Sequence, residues 1–320
     1  MPKSSFAKYR ARLPQLDGNL FLTDGGLETT LIFQEGWNLP MFESFVLMDS
    51  EKGRAALVDY YERYIAIAKQ RGRGFVLESP TWRANPDWAA KVGYDRSRLA
   101  GINRAALDLM LELRETHETR ETPIVVSGNV GPRGDGYDPS KIMNPDEAQD
   151  YHAWQIGLFR DAGADLVSAF TINNINEAVG YARAAEAAAM PCAISFTLET
   201  DGRLPTGELL SEAIEAVDGS TRVKPAYYMI NCAHPTHFGE TLEKGAGWMK
   251  RLRGIRANSS CLSHAELDNS PELDTGNPVE LGEQYGALLK RFPHITVVGG
   301  CCGTDHRHLE CISLATSKAA

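Results

Sequence analysis

Short runs rich in β-branched and apolar residues alternate along this chain with longer segments of helical periodicity, and this alternation constrains the fold more than any other feature. Between the second and third runs, for example, the apolar residues of segment 95–115 recur every three or four positions, as on one face of a helix. After the third run, Pro145 stands at the first position of a predicted helix. The runs occupy residues 19–26, 74–79, 123–128, 164–170, 191–198, 226–232, 253–258 and 294–300.

Eight strands that alternate with helices indicate a parallel sheet, because parallel neighbours need a crossover connection. Eight such units in 320 residues match the size of a (β/α)8 TIM barrel. The competing fold is a doubly wound open sheet, but no G-x-G-x-x-G pattern follows the first strand. The sequence therefore predicts an α/β protein, a single-domain (β/α)8 barrel over residues 1–320.

Charge and hydropathy exclude several classes of partner. The chain has 33 Lys and Arg against 42 Asp and Glu, a formal net charge of −9, and no segregated basic patch, which argues against nucleic acid. No segment approaches the roughly 20 apolar residues of a membrane helix, and the N-terminus has no apolar signal region. We therefore expect a cytoplasmic protein with reduced thiols. The sequence does not indicate an oligomeric state.

A barrel places its active site in the loops that follow the carboxyl ends of the strands. In this chain those positions are rich in carboxylates, amides, glycines and thiols. They carry Asp24-Gly25-Gly26, Glu78-Ser79-Pro80-Thr81, Gly128-Asn129-Val130-Gly131, Phe170-Thr171, Glu199, Asn231-Cys232, Asn258 and Gly300-Cys301-Cys302.

Three of the six cysteines lie at the ends of predicted strands six and eight, which one strand separates in a closed barrel. Cys232 and the adjacent pair Cys301 and Cys302 are therefore expected to converge. Three thiolates around Zn²⁺ leave one tetrahedral position open, which is typical of a catalytic site. Glycines beside the pair allow the tight turn that this arrangement needs. The other cysteines are interpreted as buried small hydrophobic residues: Cys192, Cys261 and Cys311.

Zinc held by three thiolates carries a net charge near −1 and is a weak Lewis acid, but it deprotonates a substrate thiol that enters the open position. Such a site suits attack by sulfur on an alkyl carbon, with no catalytic side chain beyond the activated substrate thiolate. The alternative, from a different functional class, is a metal-free redox sensor or thiol-binding regulator that uses a vicinal disulfide between Cys301 and Cys302.

The chain resembles the homocysteine S-methyltransferase family along nearly its whole length. The resemblance rests on "LTDGGLETTL", "GNVGPRGDG", "SFTLETDGRLPTGELLSEAIEAVD", "INCAHP" and "GGCCGTDH", and "ESPTWRANPDW" is similar to bacterial members. It implies a zinc enzyme with Cys232, Cys301 and Cys302 as ligands, which methylates homocysteine to methionine. The methyl donors that the resemblance implies are S-methylmethionine, S-adenosylmethionine or betaine or, as in the module attached to cobalamin-dependent methionine synthase, a corrinoid-linked methyl group. The sequence does not select among them.

The same resemblance implies that Asp24, Gly25 and Thr81 contact the substrate. One departure concerns strand four, where the family usually has a glutamate that holds the substrate ammonium and this chain has Phe170. An ammonium in a partly closed site needs a carboxylate partner. We expect either Glu78 or Glu199, both at strand ends, to replace it; otherwise the thiol is not homocysteine.

Two further segments have alternative interpretations. Trp82 and Trp88 either face a cationic methyl donor or cap the rim of the barrel. The polar segment 262–278, after strand seven, is either a lid over the mouth or a solvated loop.

Overall fold

The structure is a computed structural model that describes residues 7–317 except 244, 269 and 271. Its strands are all parallel and form one closed barrel in sequential order. They are β1 (Phe21–Leu22), β2 (Gly74–Glu78), β3 (Ile124–Val130), β4 (Leu166–Ile172), β5 (Cys192–Thr197), β6 (Tyr227–Asn231), β7 (Leu252–Ala257) and β8 (Val297–Gly300). The predicted fold class is confirmed.

Helices surround the barrel and connect its strands. The chain also contains short helical turns at Pro14–Leu16, Thr30–Gln34, Pro40–Phe42, Ser44–Asp49 and Trp248–Arg251. The α-helices are α1 (Leu27–Thr29), α2 (Glu51–Arg71), α3 (Pro86–Lys91), α4 (Arg96–His117), α5 (Pro145–Ala162), α6 (Ile175–Ala187), α7 (Leu210–Ser220), α8 (Pro235–Phe238), α9 (His264–Asp268), α10 (Pro278–Arg291) and α11 (His306–Ser317).

The barrel closes where β1 pairs with β8, although β1 has only two residues. Phe21 pairs with Gly74 on one side and with Val297 on the other. This strand covers only two residues of the run 19–26, although backbone hydrogen bonds to β8 continue beyond it: the Thr23 N–H donates to the Val298 carbonyl and the Gly300 N–H donates to the Asp24 carbonyl, both at 2.9 Å. The prediction of a helix after Asn144 is confirmed: the Asn144 side chain caps α5 by accepting from the backbone of Glu147.

Alternating side chains of the strands form two separate apolar layers. One layer fills the barrel and includes Phe21, Val76, Val125, Leu166 and Val297. The intervening residues point outward and pack beneath the helices in the larger cluster. Because both faces are covered, most strand residues are apolar, although polar residues such as Arg253 in β7 and Ser195 in β5 lie within strands. Many other polar residues lie toward the carboxyl ends. None of the helices in the described ranges has the length and hydropathy to span a membrane.

Tyr285 of α10 forms hydrogen bonds with two neighbouring strands, β7 and β8, near their carboxyl ends. Its buried hydroxyl accepts a hydrogen bond from the backbone N–H of Ala257 in β7 (2.8 Å) and donates to the carbonyl of Gly299 in β8 (2.6 Å). Removing this hydroxyl leaves a buried N–H and a buried carbonyl without that partner.

We therefore predict that Tyr285→Phe lowers the free energy of unfolding by about 1–3 kcal/mol, the cost of a buried unsatisfied polar group. Equilibrium urea denaturation followed by circular dichroism measures the change. Tyr181→Phe is the matched control: Tyr181 is equally buried, but its hydroxyl has no hydrogen-bond partner in the described part of the chain. Equal losses in both variants would contradict the role assigned to Tyr285.

Candidate active site

Three thiols from two strand ends meet at the carboxyl end of the barrel. Cys232 follows β6, and Cys301 and Cys302 follow β8. Their Sγ atoms all lie within 4.8 Å of one another, and those of Cys232 and Cys302 are 3.9 Å apart. Among the residues that the structure describes, this is the group of cysteine, histidine and acidic side chains arranged to hold a metal ion. The structure thus brings together the three cysteines that the sequence singled out.

The backbone around Cys232 is held in an unusual conformation. Cys232 has φ +52° and Thr171, at the end of β4, has φ +62°, a left-handed region that residues other than glycine seldom adopt. Asn231 connects these two positions: its Oδ1 accepts from the Thr171 backbone N–H and its Nδ2 donates to the Thr171 hydroxyl, both at 2.9 Å. The same Nδ2 lies 3.8 Å from Cys301 Sγ. The conformation of Cys232 is therefore stabilised by contacts that also reach a second thiol.

The turn that carries Cys301 and Cys302 depends on glycine in two different ways. Gly303 has φ +79°, so it supplies the left-handed residue that ends the turn. Gly300 has ordinary φ, but a Cβ there would lie 2.0 Å from the Thr304 hydroxyl. The backbone N–H of Cys301 then donates to the carbonyl of Ala257 in β7 at 2.8 Å. Close packing and one positive φ together fix the positions of the two thiols.

The three clustered thiols oppose one another's ionisation. Hydrogen bonds from Cys301 and Cys302 hold the pKa of Cys232 well below the usual thiol value. The same contacts with Cys232 raise the pKa of Cys301 to about 12 and raise that of Cys302 as well. One thiolate therefore suppresses the ionisation of its two neighbours, and a bound cation is the means by which such a group reaches full ionisation.

The three remaining cysteines differ from one another. Cys192 is buried in β5, as expected. Cys311 is half-buried on α11, and Cys261 is exposed after β7. The interpretation of Cys261 as a core residue is therefore wrong, because its segment leaves the barrel surface instead of packing on it.

An inner cavity of about 80 Å³ lies beside the thiols, inside the mouth of the barrel. Of the predicted substrate-binding residues, Asp24, Gly25 and Glu78 line it. Phe170 also lines it. The other lining residues of the described chain are Gly26, Leu27, Glu28, Thr29, Tyr61, Ser79, Pro80, Trp82, Asn129, Tyr137, Thr171, Asn231, Cys232, Arg256, Cys301 and Cys302.

A buried ion pair beside this cavity joins Asp24, which follows β1, to Arg256 of β7. Asp24 Oδ1 lies 2.7 Å from Arg256 Nη2, although the angle is not that of a well-formed hydrogen bond, and Asp24 Oδ2 accepts from the Tyr60 hydroxyl at 3.2 Å. Burial raises the pKa of Asp24, and Arg256 and Tyr60 oppose that rise. Burial lowers the pKa of Arg256, but Asp24 and the other nearby anionic groups outweigh it and the net shift is upward, so the guanidinium is charged.

Glu78, at the end of β2, is a buried carboxyl with one oxygen unpaired. Its side chain is nearly inaccessible, and Oε2 has no hydrogen-bond partner among the described residues. Burial raises the pKa of Glu78 to about 7, against the opposing effect of Arg256. A carboxyl of this kind is poised to accept a cationic group, which would restore its ionised form.

Two of the predicted substrate contacts, Thr81 and Glu199, lie outside the inner cavity. The Thr81 hydroxyl donates to the Asn129 carbonyl at 2.7 Å and contacts the Ser79 hydroxyl, so it shapes the loop after β2. The Glu199 side chain is 36% exposed and its Oε1 lies 3.4 Å from His264 Nδ1. Of the two proposed replacements for the strand-four glutamate, the geometry favours Glu78.

An outer cavity of about 340 Å³ adjoins the first and also reaches Cys302. Segment 262–278 forms part of its wall through His264, Leu267 and Asp274, which agrees with a position over the mouth. His264 of that segment also approaches the Cys232 carbonyl, with Nε2 at 2.6 Å. The cavity walls include four acidic residues, Glu28, Asp135, Glu272 and Asp274, and the aromatic residues Phe33, Phe42, Trp82 and Tyr137. Trp82 thus faces both cavities, whereas Trp88 lines neither.

Sequence reasoning did not single out Arg256, Glu28 or Tyr137. Arg256 left a signal, because a charged residue between Ile255 and Ala257 interrupts an otherwise buried parallel strand. Glu28 lies within the "DGGLETTL" segment and its carboxylate accepts from the Ser44 hydroxyl at 2.7 Å. Tyr137 carries no local signal, since only the folded loop after β3 brings it to the thiols.

Comparison with known proteins agrees with this geometry. Residues 21–316 match the model of the family described as homocysteine S-methyltransferase. A homocysteine S-methyltransferase of Escherichia coli (strain K12) is 25% identical in an alignment 328 positions long, which covers 92% of this chain and 94% of that protein. Two crystal structures of the homocysteine methyltransferase MmuM from Escherichia coli, an oxidized and a metallated form, align with TM-scores of 0.70 and 0.68 at 20% identity. They cover 92% of this chain and 95% and 96% of theirs.

A closed (β/α)8 barrel with its polar residues at the carboxyl ends of the strands defines the class of protein, a barrel enzyme. The family match over most of the chain defines it further: this chain belongs to the homocysteine S-methyltransferase family, and it is a methyltransferase. The resemblance seen in the sequence is confirmed.

Proposed function

We propose that this protein is a zinc-dependent S-methyltransferase that transfers a methyl group from a small cationic donor to homocysteine and so forms methionine. The observation that supports this function best is the position of the thiol cluster. Cys302 lies at the junction of the inner and outer cavities and lines both. A thiol in one cavity and a methyl donor in the other would therefore meet at the three sulfur atoms.

The three thiols fit a zinc ion. Ligand sulfurs at about 2.3 Å on a tetrahedron lie about 3.8 Å apart, and Cys232 Sγ and Cys302 Sγ are 3.9 Å apart. A second reason to expect zinc is that the three thiols oppose one another's ionisation, because zinc binds thiols as thiolates and so displaces their protons. A solved structure of the related MmuM is described as a metallated form. When bound, zinc supplies an electrophilic position at which a substrate thiol loses its proton near neutral pH.

The residues of the chain then position the two reactants. The Asn231 amide, 3.8 Å from Cys301 Sγ, donates toward the sulfur cluster. Tyr137 lines both cavities, and its burial and the nearby thiols raise its pKa, so that it remains a protonated hydrogen-bond donor. In the transfer step, the new bond joins the thiol sulfur to the methyl carbon while the carbon–donor bond breaks, and that bonding pair stays on the donor. Proximity and alignment supply most of the catalysis.

The inner cavity has the size and charge for the remainder of homocysteine. It is small, and Glu78 presents a carboxyl whose second oxygen has no partner among the described side chains. A substrate ammonium beside Glu78 would form the charge-assisted hydrogen bond that the buried carboxyl lacks. In this arrangement Glu78 performs the role that the strand-four position, Phe170, does not.

The outer cavity has the charge expected for the methyl donor. Its four acidic side chains face one guanidinium, that of Arg83, which lies 3.7 Å from Asp135. Sulfonium and quaternary ammonium donors are cations, so the carboxylates attract them, and the aromatic faces of Trp82 and Tyr137 add a cation–π contribution. The cavity supports a cationic donor and does not distinguish between the two kinds.

Family membership does not favour the alternative of a redox sensor. A vicinal disulfide between Cys301 and Cys302 would not require Cys232, yet the fold holds Cys232 beside them at a left-handed φ.

Incubation of the purified zinc-loaded protein with homocysteine and each of S-methylmethionine, S-adenosylmethionine and betaine tests the reaction. We expect methionine to form with at least one of these cationic donors, measured by mass spectrometry. Failure of all three, with zinc bound and the barrel folded, would overturn the proposal.

We expect about one zinc per chain in the purified protein, and we expect Cys302→Ala and Cys232→Ala to lose the metal and the methyltransferase activity together. Metal analysis by mass spectrometry measures the first quantity. Cys192→Ala is the matched control, because Cys192 is buried in β5 away from both cavities. A Cys302→Ala protein that retains zinc would contradict the ligand assignment.

We predict that Glu78→Gln raises the KM for homocysteine by roughly 10- to 100-fold, the worth of a hydrogen bond to a charged group, whereas Glu199→Gln leaves it unchanged. Steady-state kinetics at saturating donor measures both. An equal rise in the two variants, or none in Glu78→Gln, would show that Glu78 is not the ammonium partner.

The same contact predicts a pH dependence. Because the pKa of Glu78 is about 7 in the free protein, its carboxylate attracts an ammonium above pH 7 and loses that attraction as the pH falls below 7. The KM for homocysteine should therefore rise toward acid pH in the wild-type protein. In Glu78→Gln this part of the pH profile should disappear, which separates it from the titration of the thiol itself.

A further inference from the structure

Arg256 is a buried cation in the wall of the inner cavity that the proposed mechanism does not yet use. It lies in β7 with only 7% of its surface exposed and lines the cavity beside the thiols. An arginine is seldom buried to this extent unless its charge is compensated and its N–H groups have acceptors. The contacts of each guanidinium nitrogen therefore show which N–H groups remain available to a ligand.

The protein uses only one side of the guanidinium. Nε donates to the Gly300 carbonyl at 2.9 Å and Nη2 donates to the Gly25 carbonyl at 3.0 Å. Nη2 also forms the ion pair with Asp24. An arginine side chain has five N–H groups. Within the described residues, the two on Nη1 have no hydrogen-bond acceptor.

The group packed against the face of the guanidinium is neutral. The Phe170 ring centroid lies 5.0 Å from the central carbon of Arg256. An aromatic ring stabilises the cation through its face but accepts no N–H in the plane of the guanidinium. Phe170 therefore helps to hold Arg256 in place and does not compete for Nη1.

These contacts define half of a carboxylate site. Guanidinium N–H groups bind carboxylates through short, charge-assisted hydrogen bonds, and a cavity that excludes water strengthens them. Glu78, in the same cavity, presents an unpaired carboxyl oxygen, so one wall offers an acceptor and another offers donors. An α-amino acid presents an ammonium and a carboxylate on the same carbon atom and matches both.

We propose that Arg256 binds the carboxylate of the thiol substrate through Nη1, and that Phe170 keeps this nitrogen free for it. The inference rests on the proposed function, in which the substrate sulfur lies at the thiol cluster. It assigns the two charged ends of the substrate to different residues, the carboxylate to Arg256 and the ammonium to Glu78. Arg256 is thus a specificity-determining residue for thiols that bear a carboxylate.

Three thiols with the same spacing between the sulfur and each charged group distinguish the contributions of the carboxylate and the ammonium. Homocysteine carries both charged groups, 4-mercaptobutyrate carries only the carboxylate and 3-mercaptopropylamine carries only the ammonium. Dissociation constants for the zinc-loaded protein, measured by calorimetry without a methyl donor, test recognition directly. Methylation of each thiol is then measured in a separate assay with the donor present.

We expect Arg256→Gln to weaken binding of homocysteine and 4-mercaptobutyrate by about 10- to 100-fold, and to leave 3-mercaptopropylamine unchanged or slightly improved. Glu78→Gln should show the complementary pattern, weakening homocysteine and 3-mercaptopropylamine only. Arg253→Gln is the matched control, since Arg253 lies in the same strand, lines neither cavity and contacts Thr296 and the Leu16 carbonyl instead.

A second variant keeps the test valid if Arg256→Gln does not fold. Phe170→Glu places a carboxylate against the guanidinium and supplies the competing acceptor that the wild-type protein lacks. We expect it to weaken 4-mercaptobutyrate and to strengthen 3-mercaptopropylamine. Circular dichroism and zinc content establish that each variant is intact.

Equal weakening of all three thiols by Arg256→Gln in a folded protein would overturn the inference and leave Arg256 a structural role. Unchanged preference in Phe170→Glu would overturn it as well. Failure of the proposed function is distinguishable: the three thiols would then bind with the expected pattern, but none would be methylated. Methylation without the expected pattern would remove the inference and retain the function.

Discussion

The pairing of β1 with β8 is the constraint on which the site depends. It closes the sheet, so the strands lie around the barrel in the order of the sequence. β6 and β8 are then separated only by β7, and the residues that follow them point to the same end of the barrel. The Cys301 backbone is hydrogen-bonded to Ala257 of β7, so the intervening strand also fixes the height of the second and third thiols. In an open sheet this convergence would not be assured.

Closure also concentrates charge in a small volume. Three thiols, three carboxyls and one guanidinium line one cavity, namely Cys232, Cys301, Cys302, Asp24, Glu28, Glu78 and Arg256. Burial is the main reason that the pKa of Glu78 is raised, and contact with Cys232 is the main reason that the pKa of Cys301 is raised. A ligand that carries positive charge would favour the ionised forms of these groups, which is consistent with the metal cation and the substrate ammonium of the proposed function.

In the proposed function, each of the two cavities holds one reactant of the group transfer. The inner one is narrow and carries the residues that match an amino acid, whereas the outer one is larger, acidic and aromatic. Trp82, Tyr137, Glu28 and Cys302 belong to both, so the boundary between the cavities lies at the thiols. Reactants that approach from opposite sides of such a boundary are aligned for displacement at carbon without an acid or base.

The sequence by itself determined the barrel, because apolar runs and helical periods report local burial, and it determined which thiols meet, because strand order in a closed barrel follows chain order. It placed Glu78 and Glu199 equally at strand ends. Only the tertiary structure separated them, since Glu78 points into the cavity and Glu199 contacts His264 at the rim. It alone also revealed the partners of Arg256, because side-chain direction and the contacts of a buried charge depend on residues distant in the chain, from Asp24 after β1 to Phe170 in β4.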